Sequence, residues 1–330
     1  MNEQHATQAF RTLDPNQILD AIDHAGWETD GRVSALNSYE NRVYSIGLLD
    51  GGTVIAKFYR PYRWSDASIQ EEHQFCDALC SRDLPVIAPL RSHNGQSLHH
   101  HGPFRFSIYP VAGGRPPEPD NSEQLAVIGR TLGRLHLVSD TLEFHHRPRF
   151  DAIRLGEDSV SYLLESDLLP VEQAQTYESV VDDLLSETYD QIESVRYRDL
   201  CLHGDFHPGN ILWGADNTPR LLDFDDAQSG PAIQDLWMFI SGDRNYAQAR
   251  LGDLLDGYTQ FRAFNNNEIA LIEPLRALRI VHYAAWIAKR WKDPAFVQAF
   301  PFFAEPRFWD DHIQSLMEQR AALDNPLLSY

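Results

Sequence analysis

The stretch H-G-D-F-H-P-G-N at 203–210, followed by I-L-W at 211–213 and L-L-D-F-D-D at 221–226, decides the fold of this 330-residue chain. Asn210 follows Asp205 by five residues, and Asp223 follows Asn210 by thirteen. The intervening residues read as two short strands joined by a turn through Gly214 and Asn217. A hairpin of that size returns Asp223 beside Asn210, so that an amide oxygen and a carboxylate converge where one hard cation could bind. A phosphoryl transfer to a hydroxyl needs such oxygen ligands for Mg2+ on a triphosphate. It also needs a carboxylate that orients the hydroxyl and takes its proton.

The Asp205-to-Asn210 interval is that of the kinase catalytic loop H-R-D-x-x-x-x-N. A second kinase-type feature lies upstream, where T-V-I-A-K-F at 53–58 closes a strand pattern on Lys57, as V-A-I-K does. The chain has 28 basic residues, 25 of them Arg, and Lys57 is the only lysine before Lys289. Arg solvates a surface as well as Lys does, whereas a compact ammonium between phosphates is harder to replace. Lys57 is therefore expected to contact ATP. Its ion-pair partner should come from the helix that follows, where Glu72 shares a face with Ile69, Phe75 and Leu79 and is preferred to Glu71.

The loop H-G-D-x-H-x-x-N is similar to that of the aminoglycoside phosphotransferase and choline kinase branch of the protein-kinase-like superfamily. Longer stretches, L-N-S-Y-E-N-R-V-Y (36–44), K-F-Y-R-P (57–61), E-E-H-Q-F (71–75), G-P-A-I-Q-D-L-W-M (230–238) and I-E-P-L-R-A (272–277), resemble the bacterial stress response kinase A family over essentially the whole chain. The resemblance implies a cytoplasmic, Mg2+- and ATP-dependent kinase acting on Ser and Thr of proteins. It assigns Asp205 as catalytic base, Asp223 as its catalytic partner, Asn210 and Asp223 as metal ligands, and Ser38, with Lys57 and Glu72, to the ATP site. Departures from the classical pattern are plain. No G-x-G-x-x-G loop is present, N-S-Y-E-N at 37–41 stands in its place, and no A-P-E segment closes an activation loop.

The expected architecture is α+β and bilobal: residues 1–113 form a small β-rich lobe with one helix inserted in its sheet, and residues 114–330 a larger, mainly helical lobe. Asp14-Pro15 can also cap a short helix running to about His24. Formal charge is −20, and 35 acidic against 19 basic residues fall in 114–330. That balance excludes a phosphate-backbone reader of nucleic acid and favours a basic protein acceptor, with autophosphorylation expected besides. No apolar run spans a membrane, and three cysteines make no disulfide framework. Asp225 and Asp226 read equally as ligands of a second ion or as a solvated turn. His203 reads as a backbone support, His207 as a phosphate neighbour or a plain helix-entry residue, and Asp235 as a brace of the catalytic-loop backbone. Two alternatives stay open at this point. One is a phosphotransferase for an amino alcohol or antibiotic on the same fold. The other is a metal hydrolase using His203, Asp205 and His207.

Overall fold

The computed structural model describes residues 10–118 and 120–330. Five antiparallel strands form the first lobe: β1 (Thr29–Ala35), β2 (Arg42–Leu48), β3 (Thr53–Phe58), β4 (His99–His101) and β5 (Phe104–Pro110), in spatial order β1-β2-β3-β5-β4. Alternation along β3 sorts its two faces. Val54, Ala56 and Phe58 pack with Ile46, Phe106 and Ile108 under helix α1 (Pro15–His24), whose Ile18, Ala21 and Ile22 cover that face. Ile55 and Lys57 therefore point the other way, toward helix α2 (Asp66–Cys80) and the second lobe. The small lobe thus carries both expected helices, the inserted one and the one that Asp14-Pro15 caps, and both obey their capping signals. Asp14 accepts the Gln17 amide at 2.9 Å, and Ser65 accepts the Ser68 amide at 3.0 Å.

The second lobe is helical: α3 (Ser122–Ser139), α4 (Glu157–Glu165), α5 (Val171–Ser194), α6 (Arg244–Tyr258), α7 (Ile272–Lys289) and α8 (Pro306–Leu323). Two short ladders interrupt it. Strand β6 (Leu200–Leu202) pairs with β9 (Gln228–Gly230), and β7 (Ile211–Trp213) pairs with β8 (Pro219–Leu221). Helices α3 and α6 approach closely enough that a methyl group at Gly129 would sit 2.0 Å from the Leu254 carbonyl. One consequence reaches the catalytic loop, because this contact brings Tyr258 against His136 at 3.0 Å.

The lobes share one core. Phe75, Cys76 and Leu79 of α2 pack with Phe206, Ile211 and Phe224 around the 203–226 segment. Phe75 and Phe224 meet edge to face at 5.8 Å, and burying a ring of this size contributes about 2 kcal/mol. All three cysteines are free thiols. Among the described residues no helix is long and apolar enough to cross a membrane.

Candidate active site

The catalytic-loop segment is held from behind. Asp235, fully buried, accepts the His203 amide at 2.8 Å and the Gly204 amide at 2.9 Å. It also receives His136 Nε2 at 3.2 Å, so the α3–α6 contact ends on this carboxylate. Asp235 is thus the backbone brace that the sequence suggested. Gly204 has φ +86°, and an added methyl would lie 2.0 Å from the Asp226 carbonyl, so only glycine fits the H-G-D turn. His203 is buried, donates Nε2–H to the Leu222 carbonyl at 2.9 Å and leans on Phe224 at 4.4 Å. It supports backbone.

The hairpin forms as the spacing predicts. Leu222 N donates to Asn210 O at 3.1 Å, which sets Asp223 alongside Asn210. The turn closes through Gly214 and Asn217, the latter at φ +57°. Asn210 Nδ2 donates to the Asp205 carbonyl at 2.9 Å, which orients its amide oxygen away from that bond. Asp223, at φ +62°, presents a half-exposed carboxylate to the cleft. A non-glycine residue in the left-handed region is uncommon, and such strain concentrates at functional turns.

From the opposite side of the cleft Lys57 reaches this carboxylate, with Nζ 2.9 Å from Asp223 and 3.3 Å from Asp225. Burial alone would discharge Lys57, but the two carboxylates outweigh it and hold the ammonium charged, its pKa well above the ordinary value. The ion pair expected between Lys57 and Glu72 is absent. Glu72 does turn inward and is 2% exposed, yet its carboxylate lies 4.0 Å from Arg147. Its Oε2 is buried without a hydrogen bond among the described residues, and burial raises its pKa to about 7. Glu71 instead accepts the amides of His145, His146 and Arg147 at 2.6–2.7 Å, fixing that loop.

Asp225 is not part of a solvated turn, whereas the Asp226 side chain is 46% exposed. Asp225 is buried and takes Lys57, Arg63 and the Asn41 amide, while Asp226 pairs with Arg63. Burial works against the charge of Asp225, and Lys57 and Arg63 overcome it, so its pKa lies well below the ordinary range. Through Asn41 and Arg63 the N-S-Y-E-N turn is tied to this cluster. Ser38 Oγ donates to the Asn41 carbonyl at 3.2 Å and so shapes the turn from within. Glu40 accepts Trp286 Nε1–H at 2.7 Å and pairs with Arg60 and Arg290. Asp293 joins Arg42 at 2.8 Å and Arg60 at 2.9 Å. Sequence reading missed this interlobe network, because Glu40, Arg42 and Arg60 find partners about 250 positions away that no spacing links to them.

Asp205 faces the cleft with Arg279 Nη1 2.7 Å from Oδ1 and His207 Nε2 3.4 Å from Oδ2. Burial pushes its pKa up, but His207 and Arg279 more than reverse this and keep it ionised. Arg279 was also missed, since it lies 74 residues downstream on α7. His207 accepts the Gly209 amide at 3.0 Å on Nδ1. No cluster of three His, Cys, Asp or Glu side chains suited to a metal occurs among the described residues. The ligand set His203, Asp205, His207 of the hydrolase alternative does not converge.

Comparison with known proteins agrees with this geometry. The model of the phosphotransferase enzyme family matches residues 32–272. Stress response kinase A of Salmonella choleraesuis (strain SC-B67) is 40% identical over 328 residues, 99% of this chain and 98% of that one. A protein of Salmonella typhimurium named serine/threonine protein kinase RdoA is equally similar, at 40% over 328 residues and the same coverage. Among solved structures, amicoumacin kinase hAmiN, in complex with AMP-PNP, Ca2+ and Ami, superimposes with a TM-score of 0.75 at 18% identity over 96% of both chains. A choline kinase, LicA from Streptococcus pneumoniae, gives 0.63 at 14% identity, covering 93% of this chain and 98% of that one. These two structural likenesses speak for the fold. With a bilobal fold, a braced H-G-D loop and nearly full-length kinase relatives, the chain belongs to the phosphotransferase enzyme family, within its stress response kinase A branch.

Proposed function

We propose that the protein transfers the γ-phosphoryl group of Mg-ATP to Ser and Thr hydroxyls of protein acceptors. The observation that carries this reading is the meeting of Lys57, Asp223 and Asn210 across the cleft, one hairpin away from Asp205. The donor set suits Mg2+: one half-exposed carboxylate and one amide oxygen are hard ligands, and a triphosphate with water completes the shell in sites of this kind. Bound there by Asn210 and Asp223, the ion would neutralise charge on the triphosphate.

Each of the chain's own residues has a defined task. Lys57, kept charged by Asp223 and Asp225, offers its ammonium to phosphate oxygens. Ser38 and the backbone of 37–41 flank the same space in the turn that replaces a glycine-rich loop. Asp205 orients the acceptor hydroxyl and accepts its proton as the oxygen–phosphorus bond forms and ADP departs. A protein acceptor is supported by the printed name of the Salmonella typhimurium relative. The residues assigned to the ATP site are Ser38, Lys57 and Glu72, and the interlobe cleft between residues 1–113 and 114–330 is where the nucleotide would sit. A role in a stress response is supported by the relatives' names, and a cytoplasmic location belongs to the same proposal.

The test is γ-phosphate transfer with radiolabelled ATP and Mg2+, offering the protein itself, a generic protein and a panel of amino alcohols. Label in Ser or Thr of protein supports the reading. Label confined to one amino alcohol favours the small-molecule alternative on the same fold.

A further inference from the structure

One wall of the cleft proposed for the acceptor carries arginines, although the lobe as a whole carries an excess of acid. A cleft of about 640 Å3 opens beside Asp205, lined by His207, Trp237, Arg276, Arg279, Tyr283 and Phe308 among others. Arg276, Arg279, Ile280 and Tyr283 recur at helical spacing and so share one face of α7. Asp311 is the only carboxylate among the residues lining this cleft; it sits at the rim, 68% exposed and 3.6 Å from Arg307. Arg276 is committed, with Nε 3.1 Å from Glu273 and Nη2 donating to the Ile240 carbonyl at 2.7 Å. Arg279 is not: it is about half exposed, and Asp205 takes one of its five donors.

This arrangement bears on the acceptor. A small cation such as an amino alcohol would have to bring its ammonium against the Arg279 guanidinium to put a hydroxyl on Asp205. A carboxylate beside the hydroxyl meets a planar fork with free donors instead. The net negative charge of the lobe does not reverse this, because at physiological salt the field is screened over about 8 Å and the contact decides. We propose that the preferred acceptor is a Ser- or Thr-containing peptide segment with an acidic residue next to the phosphorylated hydroxyl, and that Arg279 reads that acid. The inference rests on the protein-kinase reading and replaces the basic acceptor expected from total charge. Arg279 would exchange Asp205 for the acceptor's carboxylate, leaving Asp205 Oδ1 open to the hydroxyl.

The experiment uses the full chain and one Ser-centred peptide in three forms, flanked by Glu, Gln or Lys. Wild type should show kcat/KM in the order Glu, Gln, Lys, with at least a ten-fold span. Arg279→Gln should compress the span, and Arg279→Glu should invert it, a reversal that mere loss of structure cannot give. Lys-flanked peptide preferred by wild type, or an order unchanged in Arg279→Glu, overturns the proposal. Binding of the same peptides with Ser replaced by Ala, followed by fluorescence anisotropy, separates the two readings. Selective, Arg279-dependent binding of the Glu form without label transfer keeps the acidic preference and defeats the protein-kinase reading. Equal binding of all three forms, or none, defeats the acidic preference itself.

Discussion

Lys57 Nζ lies 2.9 Å from Asp223 Oδ1, so a lysine from the sheet and an aspartate from the helical lobe, 166 residues apart, close the cleft between them. The bond works in both directions. It keeps an ammonium charged at a 7% exposed position, and it holds a strained carboxylate turn next to Asn210. The residue proposed to bind phosphate and one of the two proposed to bind metal are thereby paired within the protein.

Lys57→Arg should fail nearly as badly as Lys57→Ala in phosphate transfer. Arg fills every other cationic position before residue 289, so a role in surface charge alone would tolerate the swap. The forked guanidinium does not fit the buried space between Asp223 and Asp225. Full activity in Lys57→Arg would remove this residue from the site.

Asp205→Asn keeps the size of the side chain but cannot take a proton. Turnover should fall on the order of 10²–10⁴-fold, while Mg-ATP should still raise Tm as in wild type, since Asp205 does not hold the nucleotide. Asp223→Asn should behave differently, losing most of the Mg-ATP shift together with turnover. Identical nucleotide shifts in the two variants would contradict this division of labour.

What the sequence made legible was local. Asp205, Asn210 and Asp223 announce themselves because a loop, a hairpin and a turn put fixed spacings on the proposed base and the two proposed metal ligands. Glu72 was placed inward by helical periodicity alone, and the side chain is indeed buried. Its missing pair with Lys57 was not legible, because a strand lysine chooses between carboxylates by three-dimensional distance, and Asp223 and Asp225 lie nearer. Arg63, Arg290 and Asp293 carry no motif, and Glu40, though part of the 37–41 turn, meets Arg290 only once the lobes pack. Total charge is silent on the cleft: −16 over the second lobe is a sum without positions, whereas one face of α7 turns Arg276 and Arg279 to the cleft.

Asp293→Ala should expose how much the interlobe network holds. This carboxylate is 2% exposed and faces both Arg42 and the fully buried Arg60 guanidinium. Removing one carboxylate from such a buried set costs about 3 kcal/mol, mostly through the charge left behind. Chemical denaturation should show the loss, and Arg42→Ala, at a partly exposed partner, should show less. Comparable small effects in both would mean that the network is solvated in solution.

Glu72 supplies a pH test whose sign can be worked out in advance. Unfolded, its carboxyl ionises near the ordinary value of 4.5; folded, burial raises that to about 7. Between these values the unfolded chain holds fewer protons on this residue than the folded chain does. Its contribution to stability therefore declines as pH rises from about 4.5, and the full cost is reached above about 7. Glu72→Gln abolishes that titration, so the variant should gain stability relative to wild type at pH 8, on the order of 2 kcal/mol, and gain little at pH 5. Denaturation midpoints of the two proteins at both pH values measure it. A difference that is the same at pH 5 and pH 8 would show that Glu72 is ionised throughout, and that Lys57 or Arg147 is a closer partner in solution than the 4.0 Å approach to Arg147 implies.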